Sequence, residues 1–119
     1  MQKLTNKEEE IMHIMWRLKK AFVKDVLAEI EIDKPHYNTL STIIRNLEEK
    51  RYVGYKAYGK THEYFPIVTK EQYKKKFMNT AIDHYFNSSY KNVVSFFAKE
   101  DKISVDELKE IIALIENKD

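Results

Sequence analysis

Residues 38–46 read Asn38-Thr39-Leu40-Ser41-Thr42-Ile43-Ile44-Arg45-Asn46. Amides, small hydroxyls and one guanidinium are interleaved there with apolar side chains. At about 100° per residue, Leu40, Ile43, Ile44 and Leu47 centre one buried helical face. Asn38, Thr42, Arg45 and Glu49 then lie within about 40° of directly outward, flanked by Thr39, Ser41 and Asn46. This is recognition chemistry rather than catalytic chemistry. Arg can meet guanine through two hydrogen bonds, and Asn can read adenine. Thr and Ser can bond phosphate or touch a thymine methyl. Lys56 and Lys60, with Tyr58 and His62 nearby, would add phosphate contacts that weaken with salt. A polar outer face also suits an ordinary solvated helix, so charge and the order of elements must decide.

The whole chain carries a net charge of only +2. Its distribution says more. Residues 36–62 hold Arg45, Lys50, Arg51, Lys56 and Lys60 against Glu48 and Glu49, a local excess of three positive charges. Residues 67–119 balance, with nine basic and nine acidic side chains. A positive excess confined to one short segment is the footprint expected of a nucleic-acid contact.

Other chemistries lack their parts. No cysteine is present, which removes disulfides and cysteine-based metal, redox or nucleophilic sites. His13, His36, His62 and His84 show no ligand spacing, so neither a metal nor a cofactor is expected. Ser88-Ser89 has no Gly-x-Ser-x-Gly setting, and no glycine-rich phosphate loop occurs. Lys74-Lys75-Lys76 reads as a solvated face. The chain is not expected to be an enzyme. No apolar run approaches about 18 residues, so no membrane insertion is expected. The opening MQKLTNKEEE is not a signal peptide, and the expected location is the cytoplasm.

The elements that must position these residues follow from one template, apolar at i, i+3, i+4 and i+7. It occurs at Ile11-Ile14-Met15-Leu18, Val23-Val26-Leu27-Ile30 and Leu40-Ile43-Ile44-Leu47. It returns at Tyr90-Val93-Val94-Phe97 and Leu108-Ile111-Ile112-Ile115. Thr5 with Glu8, and Ser104 with Glu107, have the spacing of capping boxes. Tyr73, Phe77, Ala81 and Tyr85 predict a further helix, broken at Asn87-Ser88-Ser89, where Ser89 can cap the next. Trp16 and the methionines near it read as core. Between Tyr52 and Pro66 the residues favour strand, and Gly59-Lys60 suits a two-residue type II′ turn. The order is three helices, a basic hairpin, then two or three helices. That is a mostly α fold with a small β-hairpin: a winged helix-turn-helix domain over residues 1–68 and a helical dimerisation region over 69–119. In such domains the third helix enters the major groove of double-stranded DNA and the hairpin flanks it.

The second apolar supply needs a surface of its own. Tyr73, Phe77, Ala81, Tyr85, Tyr90, Val94, Phe97, Leu108, Ile111, Ile112 and Ile115 fit a symmetric partner, giving a homodimer. The alternative is that these helices fold back on their own domain. Two other functions also stay open: a winged helix used only for protein–protein assembly, and a regulator with a small-molecule pocket among the C-terminal aromatics.

Leu4-Thr5-Asn6-Lys7-Glu8-Glu9-Glu10-Ile11-Met12-His13-Ile14-Met15-Trp16 resembles the opening of the BlaI/MecI-type penicillinase and methicillin-resistance repressors. Ala21-Phe22-Val23-Lys24-Asp25-Val26 is similar to that family's entry into its second helix. Thr39-Leu40-Ser41-Thr42-Ile43-Ile44-Arg45-Asn46-Leu47, followed by Glu49-Lys50, resembles its recognition helix. The resemblance implies a homodimeric transcriptional repressor on an inverted-repeat operator. It also implies release by proteolysis in the dimerisation arm, within a system that includes a membrane-bound sensor metallopeptidase. The matching cleavage pair here is Phe96-Phe97, where the β-lactam repressors have Asn-Phe. Arg51 stands where the family commonly ends its recognition helix with Gly.

Overall fold

The computed structural model describes residues 1–117. The elements run α1 (Asn6–Leu18), α2 (Val23–Glu29), α3 (Tyr37–Glu49), β1 (Val53–Tyr58), β2 (Thr61–Pro66), α4 (Lys70–Phe86), α5 (Tyr90–Lys99) and α6 (Val105–Glu116). The fold is mostly helical with one hairpin, and three helices follow it. Two compact units result, Met1–Lys74 and a second that starts at Lys75.

The first unit is built on the three predicted stripes. Ile11, Ile14 and Met15 of α1, Val23 and Val26 of α2, and Leu40, Ile44 and Leu47 of α3 meet in one core with Met12, Ile30, Tyr52, Val53 and Tyr64. Full burial of side chains of this size stabilises by about 1.5–3 kcal/mol each before entropy is counted. Thr5 starts α1 with the expected capping box: its hydroxyl accepts the Glu8 N–H at 3.1 Å, and Glu8 Oε1 accepts the Thr5 N–H at 2.8 Å.

The end of α3 departs from the glycine rule. Arg51 takes φ 65°. Its N–H donates to the Glu48 carbonyl, and the Tyr52 N–H donates to the Leu47 carbonyl, both at 2.9 Å. This is a Schellman stop with arginine in the left-handed position. The buried pair Leu47 and Tyr52 brackets the turn and holds Arg51 there.

The hairpin pairs Val53 with Pro66 through to Tyr58 with Thr61, leaving Gly59-Lys60 as the turn. Of those two, only Gly59 has positive φ, at 63°, as a type II′ turn requires. Ala21 adds an isolated bridge to Tyr64 with paired bonds of 2.9 and 2.8 Å. The hairpin is thereby fastened to the loop between α1 and α2.

The first turn of α4 belongs to the first unit. The Trp16 indole donates to the Val68 carbonyl at 2.9 Å, and the Tyr73 hydroxyl donates to Glu9 Oε2 at 2.6 Å. Tyr73 also packs against the rings of Trp16 and Tyr52. The first compact unit thus takes in the first turn of α4 and ends at Lys74.

In the second unit Ile82 is buried, whereas α5 and α6 bury no side chain. Asn87 and Ser88 break the helices at φ 50° and 62°, and Ser89 caps α5 through the Asn92 N–H. Ser104 and Glu107 form the second expected capping box.

Candidate nucleic-acid interface

The predicted face of α3 is the exposed one. Asn38, Thr39, Thr42, Arg45 and Asn46 are exposed, and Ser41 is half-buried at its edge. The Thr42 hydroxyl donates back to the Asn38 carbonyl at 3.1 Å, which fixes its side chain against the helix. His36 precedes the helix without a side-chain cap, and no acid stands in the first turn of α3. The amides of that turn keep their capacity for an anion, and the helix dipole favours one there.

A groove runs between α3, the start of α2 and the hairpin. Tyr37, Ser41 and Arg45 line one side, and Lys60, Thr61, His62 and Tyr64 the other, with Phe22, Val23 and Lys24 at the floor and rim. Among the described residues Arg45 makes no ion pair. The fields around it are legible at the Tyr64 phenol: burial pushes that group up, Glu48 pushes it further, and Arg45 pulls it back. One helix cation, one wing cation and one cation of α2 thus face a single channel. The channel suits a polyanion that presents phosphates on both sides of a row of base edges.

Two of the predicted basic residues part company. Lys60 lines the groove, whereas Lys56 lies outside it. Its ammonium sits 5.3 Å from the centre of the Tyr58 ring, and it is cross-strand from Glu63. Lys50, which contributed to the local excess of charge, is turned inward: its ammonium is 2.6 Å from Glu8 Oε1 and 3.1 Å from the Lys3 carbonyl. Burial alone would raise the Glu8 carboxyl. The Lys50 hydrogen bond and charge, with the Thr5 N–H, outweigh it and hold the group below the usual carboxylate range.

Sequence reasoning missed Lys24 and Tyr37. Lys24 lies next to the apolar start of α2, and only the position of the neighbouring wing shows that it borders the groove. The helical wheel puts Tyr37 about 70° from the centre of the apolar stripe, which reads as flank rather than surface.

The remaining predicted residues divide as follows. Spacing groups Tyr73 with the self-association set, but its ring and hydroxyl are engaged within the first unit. Phe77, Tyr85, Tyr90, Val94, Phe97, Ile111, Ile112 and Ile115 are exposed, while Ala81 and Leu108 are half-buried. Phe96 and Phe97 lie inside α5, their rings edge-to-face at 5.3 Å. Among the described residues no cluster of His, Asp or Glu is arranged to hold a metal, and no helix is long and apolar enough to cross a membrane.

Comparison with known proteins gives a consistent result. The family model described as penicillinase repressor matches residues 4–117. The chain is 25% identical over 116 residues to the methicillin resistance regulatory protein MecI of Staphylococcus aureus (strain N315), covering 97% of this chain and 94% of that one. It is 19% identical over 114 residues to the penicillinase repressor of Bacillus licheniformis, covering 95% and 89%. The solution structure of the DNA-binding domain of the repressor BlaI superposes with a TM-score of 0.53 at 21% identity, over 61% of this chain and 94% of that domain. That likeness is one of fold, and the fold is the winged helix.

Proposed function

The chain belongs to the penicillinase repressor family, and on that premise we propose that it is a homodimeric, sequence-specific DNA-binding repressor of transcription acting on an inverted-repeat operator in the cytoplasm. The observation that carries this reading is the groove that sets Ser41 and Arg45 of α3 opposite Lys60 of the wing, with Lys24 beside them. In this reading α3 lies in the major groove. Asn38, Thr39, Thr42, Arg45 and Asn46 face base edges and flanking phosphates. Lys24 and Lys60 hold the backbone on either side. Lys56 meets phosphate only further along the duplex.

The partner is a second copy of the chain. Supporting this, α5 and α6 present Tyr90, Val94, Phe97, Ile111, Ile112 and Ile115 to solvent in the single chain, apolar side chains that a second copy can cover. Induction would follow from cleavage of the arm at Phe96-Phe97 by a sensor metallopeptidase system. Both residues lie inside a helix, so α5 must open locally before a protease can bind an extended strand there.

The test is binding of the purified protein to the DNA upstream of its own gene, against a random duplex, at two salt concentrations. Tight, salt-sensitive and selective binding by two protomers per site is the expected outcome. Equal, salt-insensitive binding to both duplexes would support the protein–protein module instead.

A further inference from the structure

We propose that Tyr37 is a specificity-determining residue of this interface, its ring resting on the 5-methyl group of a thymine in each half-site. The inference rests on the DNA-binding reading above and names a contact that reading does not contain.

Tyr37 is the first residue of α3, and its side chain is 50% exposed. It begins the line Tyr37-Ser41-Arg45, spaced four residues apart, which forms the α3 side of the groove. The other tyrosines that border the core are engaged within the first unit. Tyr52 donates to the Gln2 carbonyl and Tyr73 to Glu9. Tyr64 is buried. Among the described residues the Tyr37 hydroxyl has no hydrogen-bond partner and its ring stacks on no other ring. A large apolar ring therefore stands open at the helix end that reaches deepest into a major groove.

The chemistry of that position selects its target. The major-groove edge of a base pair offers one apolar feature, the thymine methyl. A ring beside Ser41 and Arg45 can cover that methyl and exclude water from it. Its hydroxyl then points along the groove wall, where the adjacent phosphate lies. Arg45, two turns further on, remains free to meet guanine. The half-site is thus expected to place a thymine to one side of the Arg45 contact.

The experiment begins with duplexes selected from a random library by the full-length protein. Each thymine of the selected half-site is then replaced in turn by uracil, which removes only the methyl group. Wild-type protein is expected to lose about fourfold in affinity per half-site at one such position, the worth of one buried methyl-sized group. Tyr37→Phe should keep that difference, and Tyr37→Ala should bind both duplexes equally. Retention of the full difference by Tyr37→Ala would overturn the assignment. So would an equal loss on thymine and uracil duplexes, which would make Tyr37 a backbone contact. So would a selected site at which no uracil replacement matters. If the wild-type protein selected no sequence at all, the DNA-binding reading itself would fall, an outcome distinct from the other three.

Discussion

The Glu8 carboxylate and the Lys50 ammonium meet at 2.6 Å and join the first turn of α1 to the cap residue of α3. Their side chains are 6% and 22% exposed, so water screens the pair little. Removing one partner strands the other. Lys50→Ala is expected to destabilise by about 2–3 kcal/mol, less than for a fully buried pair because the ammonium is partly wet. Urea denaturation at neutral pH measures it. Folding lowers the Glu8 pKa, so the folded protein binds that proton less tightly than the unfolded chain. The stabilisation is present above the ordinary value of 4.5 and is lost as pH falls through the lower folded value. The wild-type urea midpoint should fall between pH 5 and pH 3, about those values, more steeply than that of Glu8→Gln.

Arg51 holds a left-handed conformation that glycine adopts without strain. Arg51→Gly is expected to stabilise the fold by about 1 kcal/mol, since the strain of a side chain at positive φ disappears. Arg51→Ala keeps that strain and should give no such gain. Thermal melts of the three proteins decide it.

Tyr52, Tyr64 and Tyr73 all titrate above the ordinary value of 10.0, in each case chiefly through burial. The folded state holds these phenol protons more tightly than the unfolded chain does. Their contribution is whole below pH 10 and drains away as pH rises through the higher folded values. Melts at increasing pH, followed with tyrosinate absorbance, should show stability falling from about that point. Tyr73→Phe should lose about 1 kcal/mol at pH 8 with the Glu9 hydrogen bond, and its alkaline decline should be shallower.

Arg45 and Lys60 share a groove but do different work in the proposed complex. Arg45→Ala should weaken operator binding by about 1–3 kcal/mol and leave random duplex less affected. Lys60→Ala should weaken both alike and reduce the salt slope by about one. Titrations at several salt concentrations separate the two.

Ile112 is 52% exposed on α6 in the single chain. Ile112→Asp is expected to shift the protein from dimer towards monomer in sedimentation experiments while the first unit keeps its fold. An unchanged sedimentation profile would place the self-association surface elsewhere.

Local signals were readable in the sequence because their causes are local. The capping boxes at Thr5 and Ser104, the Gly59-Lys60 turn and all five apolar stripes depend on residues within about one or two turns of each other. The winged helix followed from their order. Partners distant in sequence were not readable. Nothing near Lys50 announces that its charge belongs to Glu8. Period alone could not separate Tyr73, fastened to Trp16 and Glu9, from Tyr85 three steps of the pattern later. Charge places Lys56 and Lys60 in one basic segment, but Lys56 lies within β1 and Lys60 in the turn, and of the two Lys60 lines the groove. Tyr37 escaped notice because a wheel treats a helix as endless, and the first residue of α3 has no preceding turn to cover it.

The carbonyls of Gln2 and Lys3 accept hydrogen bonds from Tyr52 and Lys50. Backbone written at the very start of the chain thus serves as internal scaffolding for the end of α3. Anyone trimming the protein to a minimal DNA-reading fragment gains nothing by shaving its leading residues. A purification handle is better carried where no such carbonyls are in use, and the choice of cloning boundary becomes a choice about the recognition helix.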